Sequence, residues 1–336
     1  MKRLFAPLLF LLCAAAQAAV GLTELQGLQG DGPVTVFYPT AAAEQPQKRG
    51  PFTIPAALNG APERGNGRLV VVSHGSGGSP WVHADLSRAL AAAGFVVALP
   101  EHAGDNYKDH SGVGPTSWKR RPAEVSRAID AVGSDARFAP LLKLDKVGMY
   151  GMSAGGHTAL SLAGGRWSPA MMKKHCEAHI AEDFNTCVGL TARLDGGLLD
   201  GTKIRTARWI LGWLLRDAAW YGYTEARVRA IVAGVPYAVD FDMDSLARPA
   251  VPLGLVTAGK DAWLTPRFHS EAVLAACKNC ERVADLPNGG HGALLSPFPP
   301  KLSAASAALL NDPPGFDRKV LPEIDRRIVE FFRKHL

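Results

Sequence analysis

The sequence predicts a doubly wound, mostly parallel α/β sheet with a cap insertion, and three observations carry that expectation. Short, continuous apolar runs alternate with segments of helical periodicity, as in sheets covered by helices on both faces. Two glycine clusters, Gly75-Ser76-Gly77-Gly78 and Gly151-Met152-Ser153-Ala154-Gly155, directly follow two of those runs. A segment of about 60 residues, 166–227, interrupts the alternation and is longer than a connection between neighbouring elements requires.

Residues 1–18 read as a secretory signal peptide. Lys2-Arg3 form a basic start, Leu4 to Leu12 an apolar stretch and Ala16-Gln17-Ala18 a small-residue cleavage site, which leaves a domain over 19–336. The apolar stretch is too short to span a bilayer, and Leu12 before Cys13 does not suit a lipid-attachment site. The expected location is therefore periplasmic or secreted, without stable membrane insertion.

The full chain carries 37 basic and 31 acidic side chains, and 47% of its 336 residues are hydrophobic, enough for a full core. Without Lys2 and Arg3 the net charge falls from +6 to +4. Lys119-Arg120-Arg121 and Arg326-Arg327 are the tight basic clusters. Neither is interleaved with aromatic residues, so both read as solvated faces and nucleic acid is not expected as a partner.

An exported chain makes its cysteines informative. Cys176 with Cys187 and Cys277 with Cys280 would each close a short loop as a disulfide. Two other readings exist: zinc on His175, Cys176, His179 and Cys187, or redox chemistry at Cys277-Lys278-Asn279-Cys280. The first lacks a second close ligand pair, and the second lacks a thioredoxin-like unit around it.

Along the domain, Val34 to Tyr38 alternates and ends at Pro39, as a strand at a sheet edge would. Residues 41–67 read as a loop. Leu69 to Val72 and Phe95 to Leu99 are buried strands separated by a helix over Asp85 to Ala93. Pro122 opens the next helix, with Val125, Ile129 and Val132 on one face. Val147 to Tyr150 then meets Gly151-Met152-Ser153-Ala154-Gly155, and Ala154 to Ala163 continues as a helix. A serine between a strand and a helix, with glycine two residues to either side, is the pattern of a nucleophile elbow.

A serine hydroxyl needs a base and an orienting acid. In chain order, Val228 to Ala233 and Val251 to Val256 are strands, and the second ends at Asp261. Glu281 to Leu286 is the last strand, and it ends in Gly289-Gly290-His291-Gly292. His291 is the expected base and Asp261 the expected acid, with Asp240, Asp242 and Asp244 as alternatives for the acid. The backbone N–H groups of Ser76 and Ala154 are the expected oxyanion donors. The glycine loop fits neither a P-loop nor a dinucleotide fingerprint. His157 reads as a packed core residue, His74 as a brace for the glycine loop, and Glu101 and His102 as residues of a pocket mouth.

Together, Ser73-His74-Gly75-Ser76-Gly77-Gly78, Pro100-Glu101-His102-Ala103-Gly104-Asp105-Asn106, Gly151-Met152-Ser153-Ala154-Gly155-Gly156 and Gly290-His291 resemble the α/β-hydrolase superfamily. Within it the chain resembles exported proteins described as predicted dienelactone hydrolases, related to platelet-activating-factor acetylhydrolases. The resemblance implies the α/β-hydrolase fold and a small-molecule ester substrate, with no metal or cofactor. Dienelactone hydrolases proper carry a cysteine where this chain has Ser153, which shifts the expectation to ordinary carboxylic esters. The other functions this fold allows are a peptidase of the prolyl-oligopeptidase kind, for whose propeller the chain has no room, and a non-catalytic envelope binding module.

Within 166–227, Trp209, Trp213 and Trp220 fall on one stripe with Ile210, Leu211, Leu214 and Leu215. This is the pattern of a helix packed on the domain, or of a lid whose tryptophans wall an acyl pocket. Ile324, Ile328, Phe331 and Phe332 predict a closing amphipathic helix.

Overall fold

The computed structural model describes residues 19–336, so the expected leader and Cys13 lie outside the described residues. The strands are β1 (Ala19–Leu25), β2 (Val34–Thr40), β3 (Gln45–Arg49), β4 (Phe52–Leu58), β5 (Leu69–Ser73), β6 (Val96–Pro100), β7 (Val147–Met152), β8 (Val228–Gly234), β9 (Leu253–Ala258) and β10 (Glu281–Leu286). They form a sheet in the order β10-β9-β8-β7-β5-β6-β2-β1-β4-β3. From β6 to β10 every neighbouring pair is parallel.

Continuous apolar strands produce this layering because successive side chains point to opposite faces. Leu69 and Val71 of β5 enter one core cluster, and Val70 and Val72 enter the other. Helices α1 (Ala84–Ala92), α2 (Pro115–Ser134) and α3 (Ala154–Leu162) follow β5, β6 and β7 in turn. Val125, Ile129 and Val132 of α2 pack on the first face with Leu160 of α3. Leu86 and Leu90 of α1 pack on the second. After β9, α7 (Ser270–Ala276) sends Val273 into the first face. Beyond α8 (Ala304–Leu310), α9 (Leu321–His335) brings Ile324, Ile328 and Phe332 to the second. β6 lies on one side of β5 and β7 on the other, so the winding reverses at β5. An open α/β sheet forms its crevice at the carboxyl end of such a strand.

Three details differ from the sequence expectation. The Val34 strand is interior, with β6 on one side and β1 on the other. Pro39 is tolerated there because pairing with β6 stops at Phe37, so on that side no partner needs its missing N–H. The stretch 41–67 is not simply a loop, because β3 and β4 form an antiparallel pair within it and β4 joins β1. The helix opens at Pro115 rather than Pro122, and Pro122 lies inside it. The turn ahead of Pro122 is held by tertiary contacts, since Ser117, Trp118 and Arg121 are all buried.

The segment 166–227 holds α4 (Pro169–His179), α5 (Phe184–Val188) and α6 (Asp200–Leu214) around a small core of Cys176, Ile180, Phe184, Cys187 and Ala207. Cys176 is bonded to Cys187 and Cys277 to Cys280. Where the segment leaves and rejoins the domain, Trp167 and Tyr221 exchange backbone hydrogen bonds of 2.9 and 2.8 Å. The tryptophan stripe does not pack inward. Ala207 is buried, with Ile204 and Leu211 packed against the same small core, while Trp209 and Trp213 face solvent and Trp220 lies beyond the helix end.

Candidate active site

At the end of β7 the chain reverses through Ser153, held at φ 58° and ψ −115°. An L-residue sits in this region only when its surroundings enforce it. Here the enforcement is contact: a Cβ on Gly151 would lie 1.9 Å from the Gly155 carbonyl oxygen, and one on Gly155 would lie 2.0 Å from that of Ser73. Ser153 occupies the N-cap position of α3, yet its hydroxyl makes no capping bond. It faces His291 instead, with Oγ 3.0 Å from Nε2.

The His291 Nδ1–H donates to Asp261 Oδ2 at 2.8 Å. The other carboxylate oxygen accepts the backbone N–H groups of Trp263 and Leu264 at 2.9 and 2.8 Å, which fixes the direction of the acid. With Nδ1 committed to the carboxylate, Nε2 presents its lone pair to the serine. Asp261 follows β9, and His291 follows β10 in a loop clamped by Arg318. That guanidinium donates to Leu295 O at 2.6 Å and Gly292 O at 3.1 Å and pairs with Asp312.

The glycine loop after β5 passes over the serine, where a Cβ on Gly75 would stand 3.4 Å from that of Ser153. Gly78 N–H donates to Gly75 O at 3.1 Å, closing a turn in which Gly77 takes a φ of 64°. Among the described residues, neither Ser76 N–H nor Ala154 N–H has a hydrogen-bond acceptor. The first lies on this loop, and the second opens α3.

Beneath the loop is a buried charged network. Asp105 Oδ1 accepts the Ser76 hydroxyl at 2.6 Å and Gly77 N–H at 2.9 Å, and Oδ2 pairs with Arg121 at 2.9 Å. Arg121 also donates to His74 O at 2.6 Å and Ser117 Oγ at 2.8 Å. Both members of the pair are fully buried. Burial alone would raise the Asp105 carboxyl, but Arg121 and the donors from Ser76, Ser117 and Gly77 hold it down to about 2. Beside them, His102 links the Ser73 hydroxyl, 2.7 Å from Nε2, to Glu124, 2.5 Å from Nδ1. His74 donates from Nδ1 to Gly75 O at 2.8 Å and accepts His102 N–H at 3.3 Å. Burial holds both imidazoles neutral, well below their ordinary range, and Arg121 pushes the same way on each.

Several sequence expectations change here. His102 is not at a pocket mouth but fully buried, and Glu101 is engaged by Lys108 at 3.0 Å. Arg121 is not part of a solvated face. It recurs four and eight residues before Val125 and Ile129, so the buried stripe of α2 was the signal that could have found it. Asp105, Glu124 and Ser73 were likewise not singled out. Asp240 is taken by His157, 3.0 Å away and stacked on Trp118, while Asp242 pairs with Arg166 and Asp244 stays at the surface. Among the described residues no cluster of histidine, cysteine and carboxylate side chains could hold a metal.

Neutral buried histidines make stability depend on pH. Below their ordinary range near 6.5, the unfolded chain binds protons that folded His74, His102 and His83 refuse, so stability is present above that range and falls as pH drops. For His83, which burial lowers to about 4, the loss at pH 5 is about 2 kcal/mol. Asp325 acts oppositely, since burial pushes its carboxyl up to about 7 and its contribution is lost as pH rises through that value. Urea unfolding of an Asp325→Asn variant at pH 7 and pH 5 should therefore show a lower midpoint at pH 5, and an unchanged midpoint would exclude the buried neutral imidazoles.

The model for the Alpha/beta hydrolase family matches residues 69–304. A solved ferulic acid esterase from Streptomyces cinnamoneus superposes with a TM-score of 0.59, covering 96% of this chain and 91% of that one at 15% identity. That likeness is one of fold. No curated protein matches the chain in sequence. With β5 through β10, the elbow and the His291 loop all inside the matched region, the chain belongs to the alpha/beta hydrolase family.

Proposed function

We propose that the chain is an exported serine hydrolase that cleaves carboxylic esters, preferably with short acyl groups, through an acyl-enzyme. The observation that carries this reading is the unbroken chain from Ser153 Oγ through His291 to Asp261. His291 Nε2 takes the serine proton as Oγ attacks the ester carbonyl. The oxyanion that forms is held by Ser76 N–H and Ala154 N–H. Asp261 keeps the imidazole in the right tautomer and stabilises its cation. The imidazolium returns the proton to the departing alcohol, and water activated by His291 then releases the acid and frees Ser153. Beyond the ester and water, these steps draw on side chains and backbone groups of this chain.

The leader and the two disulfides support an exported protein. The motif set supports kinship with the dienelactone hydrolase-like and platelet-activating-factor acetylhydrolase group, with Ser153 where dienelactone hydrolases proper carry a cysteine. Segment 166–227 serves as a cap: Asn185 Nδ2 donates to Ala262 O and Thr186 Oγ1 to Trp263 O, both at 2.8 Å, which ties α5 to the Asp261 loop.

The test is a fluorophosphonate probe, with the adduct located by peptide mass, beside para-nitrophenyl esters of rising acyl length and a feruloyl ester. The expected result is an adduct on Ser153 and turnover that falls with acyl length. An unlabelled serine would overturn the esterase reading and favour a binding module, and turnover that rises with acyl length would overturn the short-chain preference.

A further inference from the structure

The helix α6 sends a thin stripe, Ile204, Ala207 and Leu211, into the small core of its segment and turns its larger apolar side chains outward. Trp209 is 78% exposed and Trp213, one turn later, 61%, with Ile210 and Leu214 beside them at 42% and 59%. Exposed apolar groups this large and this close together mark a surface built to be covered. Arg205, Arg208 and Arg216 lie along the same stretch, and no acidic residue occurs between Lys203 and Arg216. Arg205 donates to Thr202, and the Arg216 guanidinium stands 5.5 Å over the Trp213 ring.

From this geometry we infer that the Trp209–Trp213 face of α6 docks the protein on an anionic lipid surface, lying in the interface without crossing it. Tryptophan suits that depth because its ring is apolar and its indole N–H still needs a polar partner. The arginines supply the charge complement, and their long side chains keep their heads among the lipid phosphates while the rings sink below them. A second copy of the chain is the poorer occupant. A two-fold contact through this face would press the same uncompensated arginines of each copy against one another. No helix among the described residues is long and apolar enough to cross a membrane, so the contact is peripheral.

The experiment uses the purified chain with sucrose-loaded vesicles, one set of phosphatidylcholine alone and one with equal parts phosphatidylglycerol, and reads co-sedimentation and tryptophan emission. Expected are pelleting and a blue shift with the anionic vesicles, weakened at about 0.5 M salt as screening shortens the reach of the arginines. Trp209→Ser with Trp213→Ser should weaken binding by at least about tenfold. Arg205→Gln, Arg208→Gln and Arg216→Gln together should weaken it by about fivefold per charge removed.

All variants should hydrolyse a water-soluble ester as the parent does, which reports that they fold. Absence of pelleting with the anionic vesicles, or equal pelleting by the double tryptophan variant, overturns the inference. So does a concentration-dependent dimer lost in that variant, which would give the face to a second copy. Vesicle binding is read without ester turnover, so a chain that pellets but does not label at Ser153 would remove the esterase reading alone.

Discussion

Replacing Ser153 with alanine should lower ester turnover by about 10⁴ to 10⁶, with thermal unfolding nearly unchanged. The kinetic loss is large because nucleophile and base act as a unit: without Oγ, His291 has no proton to take and the oxyanion donors have no covalent intermediate to hold. The structural loss is small. Alanine has a Cβ like serine, so the strain at φ 58° is the same in both, and the hydroxyl makes no capping bond that α3 would miss. Initial rates with para-nitrophenyl acetate and a melting curve check both halves. Turnover within tenfold of the parent would remove Ser153 from the chemistry.

Arg121→Met should have the second-largest effect, on stability and rate together. Methionine fills much of the same space but leaves Asp105 as a buried carboxylate without its counter-charge, a loss of about 3–5 kcal/mol. It also removes the donor to His74 O, one of the supports of the glycine loop. Unfolding should occur on the order of 10 °C lower. If the loop presents Ser76 N–H to the oxyanion, the loss should fall on kcat, about 10²-fold, with KM little changed. Arg121→Lys should not restore the rate, because one ammonium cannot reach Ser117, His74 and Asp105 as the planar fork does. A loss confined to KM, or full rescue by lysine, would show that Arg121 supports the fold without setting the loop.

Ser153, Asp261 and His291 were legible because each follows an apolar run at a strand end and two of them sit among glycines whose function is to let backbones touch. Motif and chain order point to Ser153 and His291 and favour Asp261, leaving Asp240, Asp242 and Asp244 open as the acid. The buried stripe of α2 was legible too, but Arg121 was hidden within a basic triplet whose other members reach the surface. Its partner Asp105 lies in a loop of no regular period, so only the fold brings them together. β3, with the sequence Gln-Pro-Gln-Lys-Arg, carries no apolar pattern and exists only through its pairing with β4. On α6, periodicity marked the apolar stripe without saying which way it faces. Ile204, Ala207 and Leu211 take the inside, against the small core of Cys176, Ile180, Phe184 and Cys187.

The paired hydrogen bonds between Trp167 and Tyr221 make 166–227 an excursion whose two ends already meet. The cost of closing a loop grows only slowly with its length, so such an excursion can be lengthened, trimmed or exchanged with little penalty to the sheet that bears it. It also carries its own disulfide and its own small core. The segment is thus a self-contained module on the sheet, and in the laboratory the Trp167–Tyr221 junction is the place to splice a different one.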